Sequence, residues 1–394
     1  MRSINYIEYF EQLRTPFYFY DTGLLHKTLF AIKSAASLFN YTLHYAVKAN
    51  ANDTILKKIS KYGLGADCVS ANEIQKALNN GFAAESIVFA GVGKTDDEIA
   101  YAIEREIFSI NCESLQELEV INQIADQKNR KVRVALRINP NVDAKTHEHI
   151  TTGIIRNKFG ISFNDLQYIV SHRNNYQNLV IDGVHFHIGS QITDLAVFEQ
   201  LCQAVNKILE YLQYHKFCVQ HVNLGGGLGI DYSTPENQIP DFRAYFTLFN
   251  KNLNLLPSQK VHFEPGRSIV GQSGVLISRV LYVKDNGLQK TLILDSGFTE
   301  LLRPALYQAN HKIVNLSSAK GQMIYDVAGP ICETSDYFGK SVMLPETKRG
   351  DIIAILSAGA YGEVMASNYN LRAPVAKYFS HEMQKITEDT LLTL

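Results

Sequence analysis

The sequence has no tryptophan, almost no net charge and no long apolar run, and these shortages exclude several classes of protein. The formal net charge is −1, so charge gives no argument for nucleic acid or an anionic membrane as a partner. No apolar run approaches the roughly 18 residues of a membrane span, and the first residues lack the apolar core of a signal peptide. The 394 residues are 46% hydrophobic, as in an ordinary globular protein, and this length favours two domains.

Cysteine is scarce and scattered, and no two cysteines form a Cys-x-x-Cys pair. An odd number without pairing predicts free thiols in a reducing cytoplasm rather than a disulfide framework or a structural zinc site. The five cysteines are Cys68, Cys112, Cys202, Cys218 and Cys332.

Eight short apolar runs alternate with segments of helical spacing in the first two thirds of the chain. Such alternation predicts βαβ units and a parallel sheet, and eight units favour a closed (β/α)8 barrel over residues 22–265. An open doubly wound sheet is the alternative. The predicted strands are 42–47, 65–69, 86–90, 107–111, 132–138, 180–187, 219–224 and 261–264.

The pattern changes after residue 265, where strand-like runs follow one another with turn residues and little helix between them. This predicts an antiparallel β-domain over residues 266–394, and residues 1–21 are expected to join it. The strand-like runs are 274–284, 291–295, 322–328 and 351–356.

Polar residues gather at the carboxyl ends of the predicted barrel strands, where such barrels carry their active sites. Lys48 follows the first strand, and a lysine that closes a buried strand loses solvation, which favours the neutral, nucleophilic amine. Such an amine can form a Schiff base with an aldehyde. The alternative is a lysine that caps a strand in solvent. His185 and His187 end the sixth strand; we expect at most one to point inward, and therefore no metal pair.

Two further strand ends suggest binding of an anion and a ring nitrogen. Gly225–Gly229 follows the seventh strand without a Gly-x-Gly-x-x-Gly pattern, which favours a phosphate held by backbone N–H groups over a dinucleotide. A tight turn is the alternative. Glu264 could cap a turn or pair with Arg267, or it could hold the ring nitrogen of pyridoxal phosphate.

Seven separated motifs together resemble the diaminopimelate decarboxylases, which are pyridoxal-phosphate enzymes built as an alanine-racemase-like barrel with a β-domain. The resemblance runs from about Thr15 to Tyr378. It implies that Lys48 carries the cofactor, that His187 stacks on its ring and that Glu264 pairs with the pyridine nitrogen. The motifs are residues 44–50, 187–191, 225–229, 264–267, 303–307, 332–336 and 359–362. The implied cofactor-binding set is Lys48, Asp67, His187, Ser190, Gly226, Gly227, Glu264, Arg267 and Tyr361.

The same resemblance implies a homodimer with shared active sites, in which Cys332 is the general acid and comes from the other subunit. The implied reaction converts meso-diaminopimelate to L-lysine and carbon dioxide. Arginines suit the distal carboxylate of that substrate, which ornithine lacks. A decarboxylase of ornithine, arginine or a carboxylated polyamine is the nearer alternative, and a catalytically silent relative is the remoter one. The implied substrate-binding set is Arg267, Arg303, Tyr307, Glu333 and Tyr361. The insertion at 139–158 is long enough to form a lid, which is a hypothesis.

Overall fold

The computed structural model describes residues 6–143, 158–236 and 238–383, so most of the segment proposed as a lid lies outside the described residues. The chain forms two compact units. One comprises Leu29–Gly229 and Asp241–Gly266. The other comprises the residues up to Thr28, Ile230–Pro240 and the chain from Arg267 onward. The first elements are α1 (Ile7–Gln12), β1 (Phe17–Tyr20) and α2 (Thr22–Ser37).

The first unit is a closed barrel of eight parallel strands, as the sequence predicts. Each strand pairs with its neighbours in chain order, and the last pairs with the first. These strands are almost wholly buried, because their inward faces line the barrel interior and their outward faces are covered by helices. They are β2 (Thr42–Ala46), β3 (Gly65–Cys68), β4 (Ile87–Phe89), β5 (Ser109–Cys112), β6 (Val132–Arg137), β7 (Leu179–His185), β8 (His221–Asn223) and β9 (Lys260–Phe263).

Helices follow the strands, and several begin at a hydroxyl residue that accepts a hydrogen bond from the backbone N–H three positions later. Ser70, Thr95, Ser114 and Ser162 act in this way, each satisfying an N–H group that has no partner within its helix. The helices are α3 (Asp53–Lys61), α4 (Ala71–Asn79), α5 (Asp96–Glu104), α6 (Leu115–Gln127), α7 (Phe163–Ser171), α8 (Ala196–Tyr214) and α9 (Phe242–Asn252).

Three histidines and a phenylalanine pack together within the barrel. His44 lies 3.0 Å from His262, and His262 lies 2.9 Å from His221, through their ring nitrogens. Phe108 stacks against His44 and His262. The interior of the barrel is therefore packed with side chains. The polar groups that a ligand could reach are expected near the carboxyl ends of the strands.

The second unit is built on an eight-stranded sheet with the order β12-β15-β10-β11-β13-β14, and β1 pairs with β10 and β16. A core of Phe10, Phe17, Phe19, Val275, Ile277, Ile352, Ala354 and Met383 packs against it. The elements are α10 (Arg267–Val270), β10 (Gly274–Asp285), β11 (Lys290–Leu294), α11 (Arg303–Tyr307), β12 (Ile313–Asn315), β13 (Met323–Ala328), β14 (Tyr337–Leu344), β15 (Ile352–Ile355) and β16 (Ala376–Phe379).

This sheet is mixed rather than purely antiparallel, which corrects one feature of the sequence prediction. β11 pairs with β13 in parallel, and β1 pairs with β16 in parallel. A parallel pair needs a crossover connection, and the residues between β11 and β13 supply one that contains α11 and β12. Within the described ranges, the longest helices are too short or too polar to cross a bilayer.

Candidate active site

Lys48 lies in a short 3-10 turn directly after β2, and its amine reaches the strand beside it. Lys48 Nζ donates to Asp67 Oδ2 on β3 at 2.7 Å. The Asp67 side chain is fully buried, whereas the Lys48 side chain is 35% exposed. The lysine is thus less desolvated than the sequence argument assumed, because it lies at the barrel rim and has a carboxylate partner.

The environment of Asp67 raises the pKa of its carboxyl group. Burial raises this pKa to about 6, and the nearby Glu264 carboxylate adds to the rise, whereas Lys48 opposes it. Among the described residues, its second oxygen, Oδ1, has no hydrogen-bond partner and is buried. A buried acceptor without a partner is costly, so this oxygen is suited to a donor that a ligand or a water molecule brings.

Glu264, immediately after β9, receives hydrogen bonds from side chains on three other strands. Asn223 Nδ2 donates to Oε1 at 2.7 Å and Asn111 Nδ2 donates to the same oxygen at 3.2 Å. His185 Nε2 donates to Oε2 at 2.9 Å. Burial alone would favour the neutral acid, yet His185 and Lys48 hold the pKa of Glu264 below its usual value. The site therefore contains a fixed, buried carboxylate.

Both histidines at the end of β7 face this site, so the expectation that at most one would point inward was wrong. Residues two apart in a strand share a face, and β7 ends at His185, so His187 continues toward the same rim. His187 Nδ1 accepts from Gly226 N–H at 3.2 Å. Burial, with the positive charges of Arg137 and Lys48, holds the pKa of His187 well below its usual value, so its imidazole is neutral.

The glycine turn after β8 needs its glycines for steric reasons. A Cβ on Gly225 would lie 2.3 Å from the carbonyl oxygen of Phe186, and one on Gly226 would lie 2.3 Å from the carbonyl oxygen of Glu264. Gly227 has a φ of +110°, which side-chain-bearing residues rarely adopt. The turn runs beside the loop that contains Ser190, since Ile192 N–H donates to Gly227 O at 2.9 Å. The glycine turn and the Ser190 loop therefore lie side by side at the barrel rim, and glycine-rich turns of this kind are common sites for anions.

The second unit contains two arginines that meet around one tyrosine. Arg267 Nη1 donates to the Tyr232 hydroxyl at 2.8 Å, and its guanidinium lies 4.8 Å from the centre of the Tyr361 ring. The Arg303 guanidinium lies 4.7 Å from the centre of the Tyr232 ring. Arg267 and Arg303 are buried.

Cys332 and Glu333 lie on an exposed turn before β14. Asp336 fixes this turn by accepting hydrogen bonds from the N–H groups of Ile331 and Phe298, at 2.8 and 2.7 Å. Tyr369 donates its hydroxyl to Glu333 Oε1 at 2.8 Å. Both Cys332 and Glu333 are exposed in this chain.

The structure brings the predicted site residues together in three groups. The first group lies at the barrel rim and consists of Lys48, Asp67, His187, Glu264 and the glycine turn. The second lies around Tyr232 and consists of Arg267, Arg303 and Tyr361. The third is the turn that contains Cys332 and Glu333, while Tyr307 ends α11. Sequence reasoning missed the roles of Asn111, His185, Asn223, Tyr232 and His311. The positions of Asn111, His185 and Asn223 at the ends of barrel strands were the available sign for those three.

An amine, a buried carboxylate whose pKa is lowered and a glycine turn at one barrel mouth suit a ring that has an aldehyde, a basic nitrogen and a phosphate. Fold and site thus define a pyridoxal-phosphate enzyme, and residues 25–271 match the family described as pyridoxal-dependent decarboxylase, pyridoxal binding domain. A diaminopimelate decarboxylase of Bacteroides thetaiotaomicron is 51% identical over 385 residues, covering 97% of this chain and 100% of its own length.

Solved structures agree with that match. Diaminopimelate decarboxylase from Helicobacter pylori, complexed with L-lysine, has a TM-score of 0.90 and 40% identity, and the match covers 95% of this chain and 93% of that one. A lysine/ornithine decarboxylase from Vibrio vulnificus has a TM-score of 0.82 at 22% identity over 94% of this chain and 96% of that one, which shows a shared fold. The chain belongs to the pyridoxal-dependent decarboxylases and, within them, to the diaminopimelate decarboxylase family.

Proposed function

We propose that this protein decarboxylates meso-2,6-diaminopimelate to L-lysine and carbon dioxide, as the last step of lysine biosynthesis by the diaminopimelate route. The observation that carries the proposal is the full-length 51% identity to a protein named for this activity. Its cytoplasmic location is part of the proposal, since all five cysteines are free thiols.

Pyridoxal phosphate, when bound, supplies the electron sink that accepts the pair released from the bond between Cα and the carboxylate. Each group at the rim has a distinct proposed task. The Lys48 amine would hold the cofactor through its aldehyde carbon, and Asp67, which accepts a hydrogen bond from that amine, would orient it. Glu264 would keep a proton on the ring nitrogen, because His185 and Lys48 favour its ionised state. His187, being neutral, would lie beside the ring without adding a positive charge.

The phosphate is proposed to bind at Gly226 and Gly227 of the glycine turn and at Ser190, with Arg267 and Tyr361 as further cofactor ligands. The two required glycines at this turn support the assignment, because a phosphate must approach the backbone closely.

The substrate is proposed to bind Arg267, Arg303, Tyr307, Glu333 and Tyr361. Arg303 would pair with the distal carboxylate, which a guanidinium binds through two parallel hydrogen bonds. Glu333 would pair with the distal ammonium. Because this carboxylate remains in the product, L-lysine would keep the same contact.

Cys332 is proposed to donate the proton from its Sγ to Cα after carbon dioxide leaves. A thiol suits this step because cysteine is among the side chains that act as general acids. Cys332 and Glu333 are exposed in the single chain. Their exposure supports a homodimer in which each subunit lends this turn to the site of its partner.

A carbon dioxide release assay across a panel of amino acids tests the proposal. With pyridoxal phosphate present, we expect rapid release from meso-diaminopimelate and little from L-ornithine, L-arginine or L-lysine. Arg303→Ala should lose most activity on meso-diaminopimelate. Preferred turnover of L-ornithine, or full activity of Arg303→Ala, would overturn the assignment.

A further inference from the structure

His311 holds Arg303 through a neutral ring nitrogen. Arg303 Nη1 lies 2.7 Å from His311 Nε2, and His311 Nδ1 lies 2.8 Å from the carbonyl oxygen of Leu356. The residue that carries this carbonyl is itself anchored, because the N–H of Leu356 donates to Lys312 O at 2.9 Å. His311 also packs edge-on against Tyr232, with ring centres 5.0 Å apart. Two aromatic side chains therefore fix the guanidinium of Arg303.

The two partners of His311 define its protonation. The carbonyl of Leu356 can only accept, so His311 Nδ1 carries the hydrogen. The guanidinium of Arg303 can only donate, so Nε2 presents its lone pair. Burial, together with the positive charge of Arg303, lowers the pKa of His311 to about 3. His311 is therefore neutral throughout the physiological range.

Arg303 keeps its full positive charge in this arrangement. Arg267 is a charged neighbour of Arg303, and the phenols of Tyr232 and Tyr361 are neutral ones. Across the described ranges, no carboxylate forms an ion pair with Arg303, and its Nε is buried without a hydrogen-bond partner. A buried, charged donor without a counter-ion is costly, so this arginine is suited to an anionic ligand group.

We propose that His311 is a positioning residue for substrate selectivity, which fixes Arg303 by a neutral acceptor and so reserves its charge for the distal carboxylate of the substrate. This inference rests on the proposed function. A carboxylate at position 311 would pair with Arg303 internally and compete with the substrate. The neutrality of His311, rather than its bulk, is what gives Arg303 its selectivity.

The test compares His311→Glu with His311→Gln in the holoenzyme. Calorimetry measures binding of L-lysine and of 1,5-diaminopentane, which is L-lysine without its carboxylate. We expect His311→Glu to weaken L-lysine binding about tenfold or more and to leave diaminopentane binding unchanged, because only the former needs the charge of Arg303. For meso-diaminopimelate, KM should rise more than kcat falls. His311→Gln, which keeps a neutral acceptor, should recover most of the L-lysine affinity.

Leu288→Glu is the control for an added negative charge, because Leu288 is 98% exposed on the same unit. An equal loss of affinity for L-lysine and for 1,5-diaminopentane would mean that His311 has only a structural role, and it would overturn the proposal. An equal loss of L-lysine affinity in His311→Glu and His311→Gln would do the same. If His311→Glu does not fold, nitrogen NMR of wild-type protein with labelled histidine provides the test. A His311 ring that carries hydrogen on Nδ1 alone from pH 5 to 9 supports the proposal. Any other tautomer, or a charged ring, overturns it. The binding and NMR measurements do not depend on turnover. The proposed function is tested separately, because wild-type protein that releases no carbon dioxide from meso-diaminopimelate would refute it.

Discussion

Glu264 shows how a single side chain depends on the closure of the whole barrel. Its donors Asn111, His185 and Asn223 lie on β5, β7 and β8, while Glu264 itself follows β9. Hydrogen bonds from such donors favour the ionised carboxylate, and His185 together with Lys48 offsets the burial that opposes it. An ionised group at this position can hold a proton on a ring nitrogen, which a neutral group cannot do.

Replacing Glu264 by glutamine should therefore remove the negative charge that holds a proton on the ring nitrogen, while it keeps the shape of the side chain. We expect Glu264→Gln to lower kcat by about 100-fold or more, in line with the loss of one fixed electrostatic group in an active site. Steady-state release of carbon dioxide at saturating cofactor is the measurement. Glu104→Gln, which changes an exposed glutamate paired with Lys128, is the control. An unchanged kcat would show that the carboxylate has no role in the reaction.

The half-buried side chain of Glu73 on α4 is expected to make the stability of the folded protein depend on pH. Burial raises the pKa of Glu73 from 4.5 to about 7, although a hydrogen bond from Val69 N–H opposes the rise. The folded protein thus binds this proton more tightly than the unfolded chain does. The stabilising contribution is complete below pH 4.5 and is lost as the pH rises through about 7.

Glutamine imitates the protonated acid, so Glu73→Gln should match wild-type stability at pH 5 and exceed it at pH 8. Urea unfolding at the two pH values measures the difference. Glu85→Gln, at an exposed position, corrects for the general loss of one negative charge. A stability difference that shrinks toward pH 8 would contradict the assigned direction.

At the scale of elements, the glycine turn after β8 should tolerate no side chain. Gly226→Ala would place a Cβ 2.3 Å from the carbonyl oxygen of Glu264, so the backbone of one strand end must move. We expect a loss of about 1–3 kcal/mol in the free energy of unfolding, together with weaker binding of pyridoxal phosphate.

A spectroscopic titration with the cofactor and a urea titration measure these two effects. Gly93→Ala is the matched control, because no atom lies within 4 Å of its Cβ position. Wild-type cofactor affinity in Gly226→Ala would show that this turn does not bind the phosphate.

The barrel strands could be predicted from the sequence, whereas several strands of the second unit could not. All eight barrel strands were predicted within a few residues, because strand-like and helical segments alternate regularly along this part of the chain. The strands β12, β14 and β16 were missed, because no such alternation marks them and the mixed polar pattern of β14 reflects its partly exposed position. The parallel pairing of β11 with β13 was missed because strand order depends on contacts distant in sequence.

The same limit applies to the candidate site. Lys48 and Glu264 could be selected because the carboxyl ends of parallel strands share one rim, whatever the register. The hydrogen bond from Asn223 to Glu264 could not be predicted, because it requires the pairing of β8 with β9 in one register. Tyr232 and His311 lie outside strands and motifs, so only the folded chain relates them to the arginines.

At the scale of the whole molecule, the proposed dimer divides each site between two chains. A mixture of two inactive variants, Lys48→Ala and Cys332→Ala, should therefore regain activity. Random exchange of subunits gives a mixed dimer with one intact site, so about one quarter of wild-type activity is expected. Each variant alone, treated identically, is the control. No recovery, despite demonstrated subunit exchange, would mean that Lys48 and Cys332 act within one chain.

The most direct test of the account is where the cofactor is attached. Purified protein loaded with pyridoxal phosphate is reduced with borohydride and digested, and the modified peptide is identified by mass spectrometry. We predict a visible absorbance band that Lys48→Ala lacks, and a single reduced adduct on Lys48. A colourless wild-type protein, or an adduct on another lysine in place of Lys48, would contradict the account.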